Sequence, residues 1–190
     1  MLAYFVLLLA VLSRILPHAF HAVSWNFTAL GGGLLFFGSR MGGSRRAAWM
    51  LPSALAVLMA TDYYLTVFAY GYPFQLREYA VTWIWYAAVC LLGMGLLSRP
   101  TLPRVVAGVL ASSTSFFLVS NFVVWIGGSL AMYPHSLAGL GACYIAGLPF
   151  YRNDLVSTAL TSGALFGLPA LAAGILDSLR AARTTNLPAA

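Results

Sequence analysis

Apolar residues run along the chain in long stretches that are interrupted by charged residues, Pro and Gly. A helix needs about 20 apolar residues to cross the hydrocarbon layer of a bilayer. The stretches therefore predict six membrane-spanning helices, at residues 2–16, 26–39, 46–70, 79–98, 104–127 and 154–177. The second stretch is short and contains three consecutive glycines, which favours a tilted, kinked or partly re-entrant helix.

A seventh apolar stretch, at residues 135–150, leaves open whether the chain spans the membrane six or seven times. Its Gly139, Cys143 and Gly147 recur every fourth residue, and such small side chains let a helix lie close to its neighbours. Six spans place seven arginines in the cytoplasm and three outside, whereas seven spans give six and four. The arginines therefore favour six spans, cytoplasmic termini, and a long outer loop at 128–153 that contains a packed helix.

The composition excludes the soluble classes of protein. Hydrophobic residues make up 61% of the 190 residues and charged residues only 7%, whereas soluble domains are about a quarter charged. Disorder is excluded by the high hydrophobicity, and a disulfide framework by the presence of only two cysteines. We therefore predict an all-α, polytopic integral membrane bundle of about six transmembrane helices with a long outer loop helix.

The positions of the arginines and of the apolar stretches also indicate the role of the net charge and the domain organisation. The net charge of +6 comes from ten arginines that are placed at the ends of the predicted spans, so it is read as orientation in the bilayer and not as nucleic-acid binding. No linker or repeat divides the chain. We expect a single transmembrane domain at residues 1–183 and a loose C-terminal tail at 184–190.

Asp62 is the most informative residue of the predicted spans. A carboxylate within a span is costly and usually faces the interior of the bundle beside a partner. Two roles are open for it: a structural ion pair with Arg14, which lies at a similar depth on the outer side, or contact with a ligand.

Metal ligation is open for three further residues. His18 and His21 are three positions apart, which on a helix would place both imidazoles on one face, but Pro17 indicates a loop. Cys90 lies near the middle of the fourth span, where it is either a small buried hydrophobic residue or a soft ligand.

Polar and aromatic groups gather at the predicted outer ends of the helices and indicate an outward-facing ligand pocket. Its candidate lining residues are His18, Asn26, Asp62, Tyr63, Asn121, Trp125 and Tyr144. No phosphate-binding loop and no HExxH or GxSxG motif occurs, and no pair of nucleophile and base stands out. We therefore expect no enzymatic activity, and no catalytic residue is assigned.

Several short stretches resemble known membrane families. They are Arg14 to His18, Asn26 to Thr28 followed by Gly31 to Gly38, and Cys143-Tyr144 followed by Pro149-Phe150. They resemble an uncharacterised bacterial membrane family, and the layout of the chain resembles the substrate-binding S components of energy-coupling-factor transporters. The resemblance implies six helices, cytoplasmic termini and a pocket near the outer surface of the bacterial inner membrane.

The resemblance also bears on partners. S components that dock on an energising module often carry small residues four apart on the first helix, but here Leu7 follows Ala3 and Arg14 follows Ala10. The chain is then either coupled to such a module or a solitary transporter, as some S-component-like proteins for cobalamin are. A cobalamin ligand would give Cys90 or His18 a role in binding cobalt.

Two functions from different classes follow. The first is uptake of a small vitamin-like cofactor precursor or a transition metal through the outward pocket. The second is an accessory structural subunit of a larger membrane complex, in which the small residues and aromatics pack against partner helices. The sequence does not identify a cofactor.

Overall fold

The computed structural model of the chain describes residues 1–19, 27–128 and 132–185, and these ranges contain helices joined by short connections, with no strand. The helices are α1 (Leu2–Ala19), α2 (Leu30–Ser39), α3 (Ser44–Tyr64), α4 (Leu76–Leu96), α5 (Leu102–Gly127), α6 (Leu137–Ser162) and α7 (Leu168–Thr185). The predicted all-α class is confirmed.

Four helical segments of the described chain are long and apolar enough to cross a membrane. They are Ser44–Ala69, Tyr79–Leu96, Leu102–Gly127 and Leu137–Arg180, and Leu2–Ile15 and Leu30–Ser39 are shorter apolar helices. The protein is therefore an integral membrane bundle.

Two of the long segments continue through π-helical turns. Leu65–Ala69 extends α3, and Gly163–Gly167 joins α6 to α7. The predicted outer helix at 135–150 and the predicted span at 154–177 are thus parts of one helical rod. Helix α6 begins after an N-terminal cap, where the Ser136 hydroxyl accepts a hydrogen bond from the Gly139 N–H at 3.1 Å. Pro149 lies inside this helix and does not end it.

The predicted loose tail at 184–190 is described only at its first two residues. Thr184 and Thr185 belong to α7, while residues 186–190 lie outside the described part of the chain. All residues of 168–180 are exposed, so this segment is not packed against the other described helices.

The second predicted span is a half-length helix in the centre of the bundle. The ten residues of α2 rise about 15 Å, half the thickness of the hydrocarbon layer. It starts level with the body of α1, because the Ala29 N–H donates to Ser13 Oγ at 2.9 Å. Every residue from Leu30 to Gly38 is buried.

Glycines let α2 approach α4 at backbone distance. A Cβ atom at Gly38 would collide with the Cys90 carbonyl group, and one at Gly93 would collide with the Leu35 carbonyl group. Cys90 is therefore fully buried at this contact. The two helices run in the same direction, because Leu30 at the start of α2 and Tyr79 in the first turn of α4 line one cavity.

Candidate functional site

A buried ion pair joins α1 to α3 inside the bundle. Arg14 Nη2 donates to Asp62 Oδ1 at 2.5 Å, and the Asp62 side chain is only 1% exposed. Trp83 Nε1 donates to Asp62 Oδ2 at 2.8 Å and the Tyr86 hydroxyl donates to Oδ1 at 3.3 Å, both from α4. Both carboxylate oxygens are thereby satisfied. The ion pair, one of the two roles open for Asp62, is present.

The ion pair with Asp62 leaves part of the hydrogen-bonding capacity of Arg14 unused. The guanidinium group lies 6.0 Å from the centre of the Tyr86 ring, and its Nη1 is buried without a hydrogen-bond partner. A buried N–H group that lacks an acceptor costs about 1–3 kcal/mol or more. The geometry therefore favours an additional acceptor at Arg14.

The π-helical turn after α3 shapes the surroundings of Asp62. The Thr66 hydroxyl donates to the Asp62 carbonyl oxygen at 2.7 Å, and it shares a second hydrogen bond with the Tyr79 hydroxyl. Thr66 has a single hydroxyl hydrogen, so Tyr79 is the donor in that second bond. π-helical turns occur frequently at functional sites.

Cavities adjoin the ion pair. One of about 170 Å³ reaches from Arg14, Asp62 and Thr66 to Tyr70, and another of about 160 Å³ continues inward. Thr28 and Leu30, at the start of α2, line the inner cavity together with Tyr86.

A third cavity, of about 200 Å³, lies between α5 and α6. It shares Phe116 and Asp154 with the inner cavity, so these two spaces adjoin one another. Asn121 and Gly147 line its far end.

An aromatic stack borders the site on the α4 side. The rings of Phe74 and Tyr79 lie 4.9 Å apart and 13° from parallel, and Trp83 follows 6.1 Å from Tyr79. The Tyr63 ring meets Phe74 edge-on at 5.2 Å, so Tyr63 belongs to this aromatic cluster rather than to the ion pair.

The sequence-predicted ligand residues form two groups. His18 packs edge-on against Tyr70 at 5.3 Å and so lies beside the cavity that reaches Asp62. Asn121 accepts a hydrogen bond from the Cys143 thiol at its carbonyl oxygen, at 3.3 Å, and lines the α5–α6 cavity.

Two further predicted residues stabilise the second group. The Tyr144 hydroxyl donates to the Leu118 carbonyl at 2.8 Å, and Trp125 Nε1 donates to the Pro134 carbonyl at 3.0 Å. Both side chains therefore have structural partners near Asn121. Asn26 lies outside the described residues.

The predicted metal ligands are not gathered in the part of the chain that the structure covers. His18 lies near Tyr70, Cys90 lies in the core against α2, and His21 is outside the described residues. Within those residues, no three His, Cys, Asp or Glu side chains form a group that could hold a metal ion.

Sequence reasoning did not assign Tyr79, Tyr86 or Asp154 to the site. A signal for the tyrosines existed in α4, because positions 79, 83 and 86 recur at helical spacing and place three aromatic side chains with polar tips on one face. Asp154 carries no comparable pattern and becomes visible only when α5 and α6 are packed together.

Comparison with known proteins gives a family but no named relative. No curated protein and no solved structure matches the chain. The family model of DUF6580, described as a family of unknown function, matches residues 1–179. The chain therefore belongs to the DUF6580 family.

Proposed function

We propose that the protein is a membrane-embedded substrate-binding and uptake protein for a small organic molecule, such as a vitamin-like cofactor precursor. The observation that supports this proposal best concerns Arg14. Asp62 binds Arg14 beside the adjoining cavities, and Nη1 of Arg14 has no hydrogen-bond partner. A buried ion pair is weak evidence for stability, because apolar residues of similar volume often serve as well or better. An ion pair within a membrane is therefore better accounted for by ligand binding.

The start of α2 supports an anionic group on the ligand. Thr28 and Leu30 place the N-terminal end of this half-length helix at the inner cavity, on the same side as Arg14. Helix N-termini carry partial positive charge, and discontinuous membrane helices direct such ends at anionic substrate groups. A carboxylate or phosphate at Arg14 would meet both positive features.

The donor set favours an organic molecule over a transition metal. Tyr79 and Tyr86 line the inner cavity, and Trp85 and Phe116 complete its aromatic walls. Organic ligand sites combine such walls with a few fixed polar groups. The described residues supply no metal-ligating cluster beside them.

The proposal of uptake depends on the orientation of the helix bundle in the membrane. The inner ends of the helices are assigned by the arginines between α2 and α3 and between α4 and α5, which lie at the opposite end of the bundle from Asp62. This assignment supports a pocket on the outer side and termini in the cytoplasm, as expected for a bacterial inner-membrane protein that resembles S components. The protein would then transport its ligand either together with an energising transporter module or alone.

Orientation is tested by cysteine labelling in intact cells. We expect a membrane-impermeant maleimide to label Tyr72→Cys, which is exposed after α3, and to label Ser44→Cys at the start of α3 only after permeabilisation. Both native cysteines are buried, so the parent chain serves as the blank. The reverse labelling pattern would place the pocket in the cytoplasm and contradict uptake.

Ligand binding is tested by native mass spectrometry, with elemental analysis, of the mildly solubilised protein. We expect a stoichiometric organic molecule on the parent chain and its loss, by about tenfold in occupancy, on Arg14→Lys, because lysine keeps the charge but lacks the planar fork. Arg104→Lys is the matched control, since Arg104 is exposed and only donates to the Arg99 carbonyl oxygen.

Equal occupancy in both variants would contradict a ligand at Arg14. A ligand-free chain that travels with other membrane proteins would favour the accessory subunit instead. A stoichiometric transition metal without an organic molecule would overturn the proposed ligand class.

A further inference from the structure

We infer that the ligand is a small zwitterion, whose cationic group is bound by Asp154 while its anionic group is bound by Arg14. The inference rests on the proposed function and specifies its substrate class. Asp154 is only 9% exposed in the middle of α6, and it lines both the inner cavity and the α5–α6 cavity.

Asp154 and Arg14 border one cavity without neutralising each other. Among the described side chains, the ion pairs within 4.0 Å are Arg14–Asp62 and Arg180–Asp177, so Asp154 is in neither. A carboxylate buried in a membrane protein is costly unless it is paired. A ligand that places a cationic group beside Asp154 would provide the missing pair.

A buried hydroxyl adjoins this carboxylate. Ser113 is fully buried on α5 and lines the α5–α6 cavity together with Asp154. An ammonium group has three donors, and the Asp154 carboxylate and the Ser113 hydroxyl are acceptors for two of them. The Phe116 ring borders both cavities and adds an aromatic surface that suits a cation.

The opposite pole of the cavity suits a negative charge. Arg14, whose Nη1 has no hydrogen-bond partner, borders the cavity there, and the start of α2 adds the partial positive charge of a helix N-terminus. Asp62 balances the charge of Arg14, so this pole attracts an anion through the unpartnered donor group of Arg14 and the helix N-terminus. One positive pole and one negative pole therefore face a space bounded by Trp85, Tyr86 and Phe116.

The inference is tested with three probes that differ only in charge: L-phenylalanine, 3-phenylpropionate, which lacks the ammonium group, and phenethylamine, which lacks the carboxylate. Binding is measured by the tryptophan fluorescence of the detergent-solubilised full chain after release of any retained ligand. We expect L-phenylalanine to bind about tenfold or more tightly than either analogue, because 3-phenylpropionate leaves the Asp154 charge unpaired and phenethylamine leaves Arg14 Nη1 without an acceptor.

Variants assign that preference to Asp154. In Asp154→Asn we expect the preference for L-phenylalanine over 3-phenylpropionate to disappear, with 3-phenylpropionate itself bound within about threefold of the parent chain. Ser113→Ala should reduce the preference for L-phenylalanine over 3-phenylpropionate by about threefold. This variant provides the test if Asp154→Asn does not fold. Asp177→Asn, an exposed acid of α7, is the matched control and should leave all three affinities unchanged.

Equal binding of L-phenylalanine and 3-phenylpropionate to the parent chain, or binding of none of the probes, would overturn the zwitterion inference. A retained molecule with an anionic group but no cationic group would overturn it as well. Those results leave the proposed function standing as long as Arg14→Lys loses the retained ligand and Arg104→Lys keeps it.

Discussion

Asp62→Ala is expected to lower the free energy of unfolding by about 3–5 kcal/mol, because it leaves the Arg14 guanidinium buried without its counter-charge. Asp62 is 1% exposed and accepts hydrogen bonds from Arg14, Trp83 and Tyr86. The substitution therefore removes the acceptor of three side chains, on two helices, at once. The measurement is reversible unfolding in mixed micelles with increasing denaturing detergent.

The matched control is Asp177→Ala, which breaks the other ion pair of the described chain. Asp177 and Arg180 are 74% and 76% exposed, and an exposed pair of this kind contributes about 0–1 kcal/mol. The double variant Arg14→Met with Asp62→Leu should recover most of the lost stability, because no charge is left unpaired. An Asp62→Ala effect equal to that of Asp177→Ala would show that the ion pair is not buried in the bilayer protein.

That double variant also separates stability from function. If Arg14 serves only to hold α1 against α3, a stable apolar replacement should keep any retained ligand. If Arg14 binds the ligand, the double variant should fold and lose it. The comparison distinguishes the two roles that the sequence left open for Asp62.

The membrane helices and the ion pair could be predicted because both follow from the cost of burying polar groups in lipid. Apolar runs must be helical there, and Asp62 required a partner at its own depth, for which Arg14 was the available cation. Neither inference needed to know how the helices are tilted or rotated.

The rest of the site depends on packing that apolar runs do not encode. Tyr86 and Asp154 reach one cavity only because α2 is half the expected length and starts inside the bundle. The continuity of α6 with α7 was missed for a related reason. Pro149 and the polar residues after it suggest a break, but a proline in a membrane helix is tolerated where neighbouring groups compensate its missing N–H.

Gly93→Ala is expected to lower the free energy of unfolding by about 3 kcal/mol, at the upper end of overpacking effects, because the added Cβ atom meets backbone and not a flexible side chain. The colliding group is the Leu35 carbonyl of α2, and Gly38→Ala would collide with the Cys90 carbonyl in the same way. Both substitutions force α2 away from α4.

Gly95→Ala, two residues along the same helix, provides the control for Gly93→Ala. A Cβ at Gly95 meets nothing within 4 Å, so alanine there should be neutral or stabilise the helix by up to about 1 kcal/mol. Because Thr28 and Leu30 carry the start of α2 into the inner cavity, Gly93→Ala should also weaken binding of the retained ligand, while Gly95→Ala should not. Equal stability of the two variants would mean that α2 does not lie against the α4 backbone, and the positive pole of the cavity would then lose its structural basis.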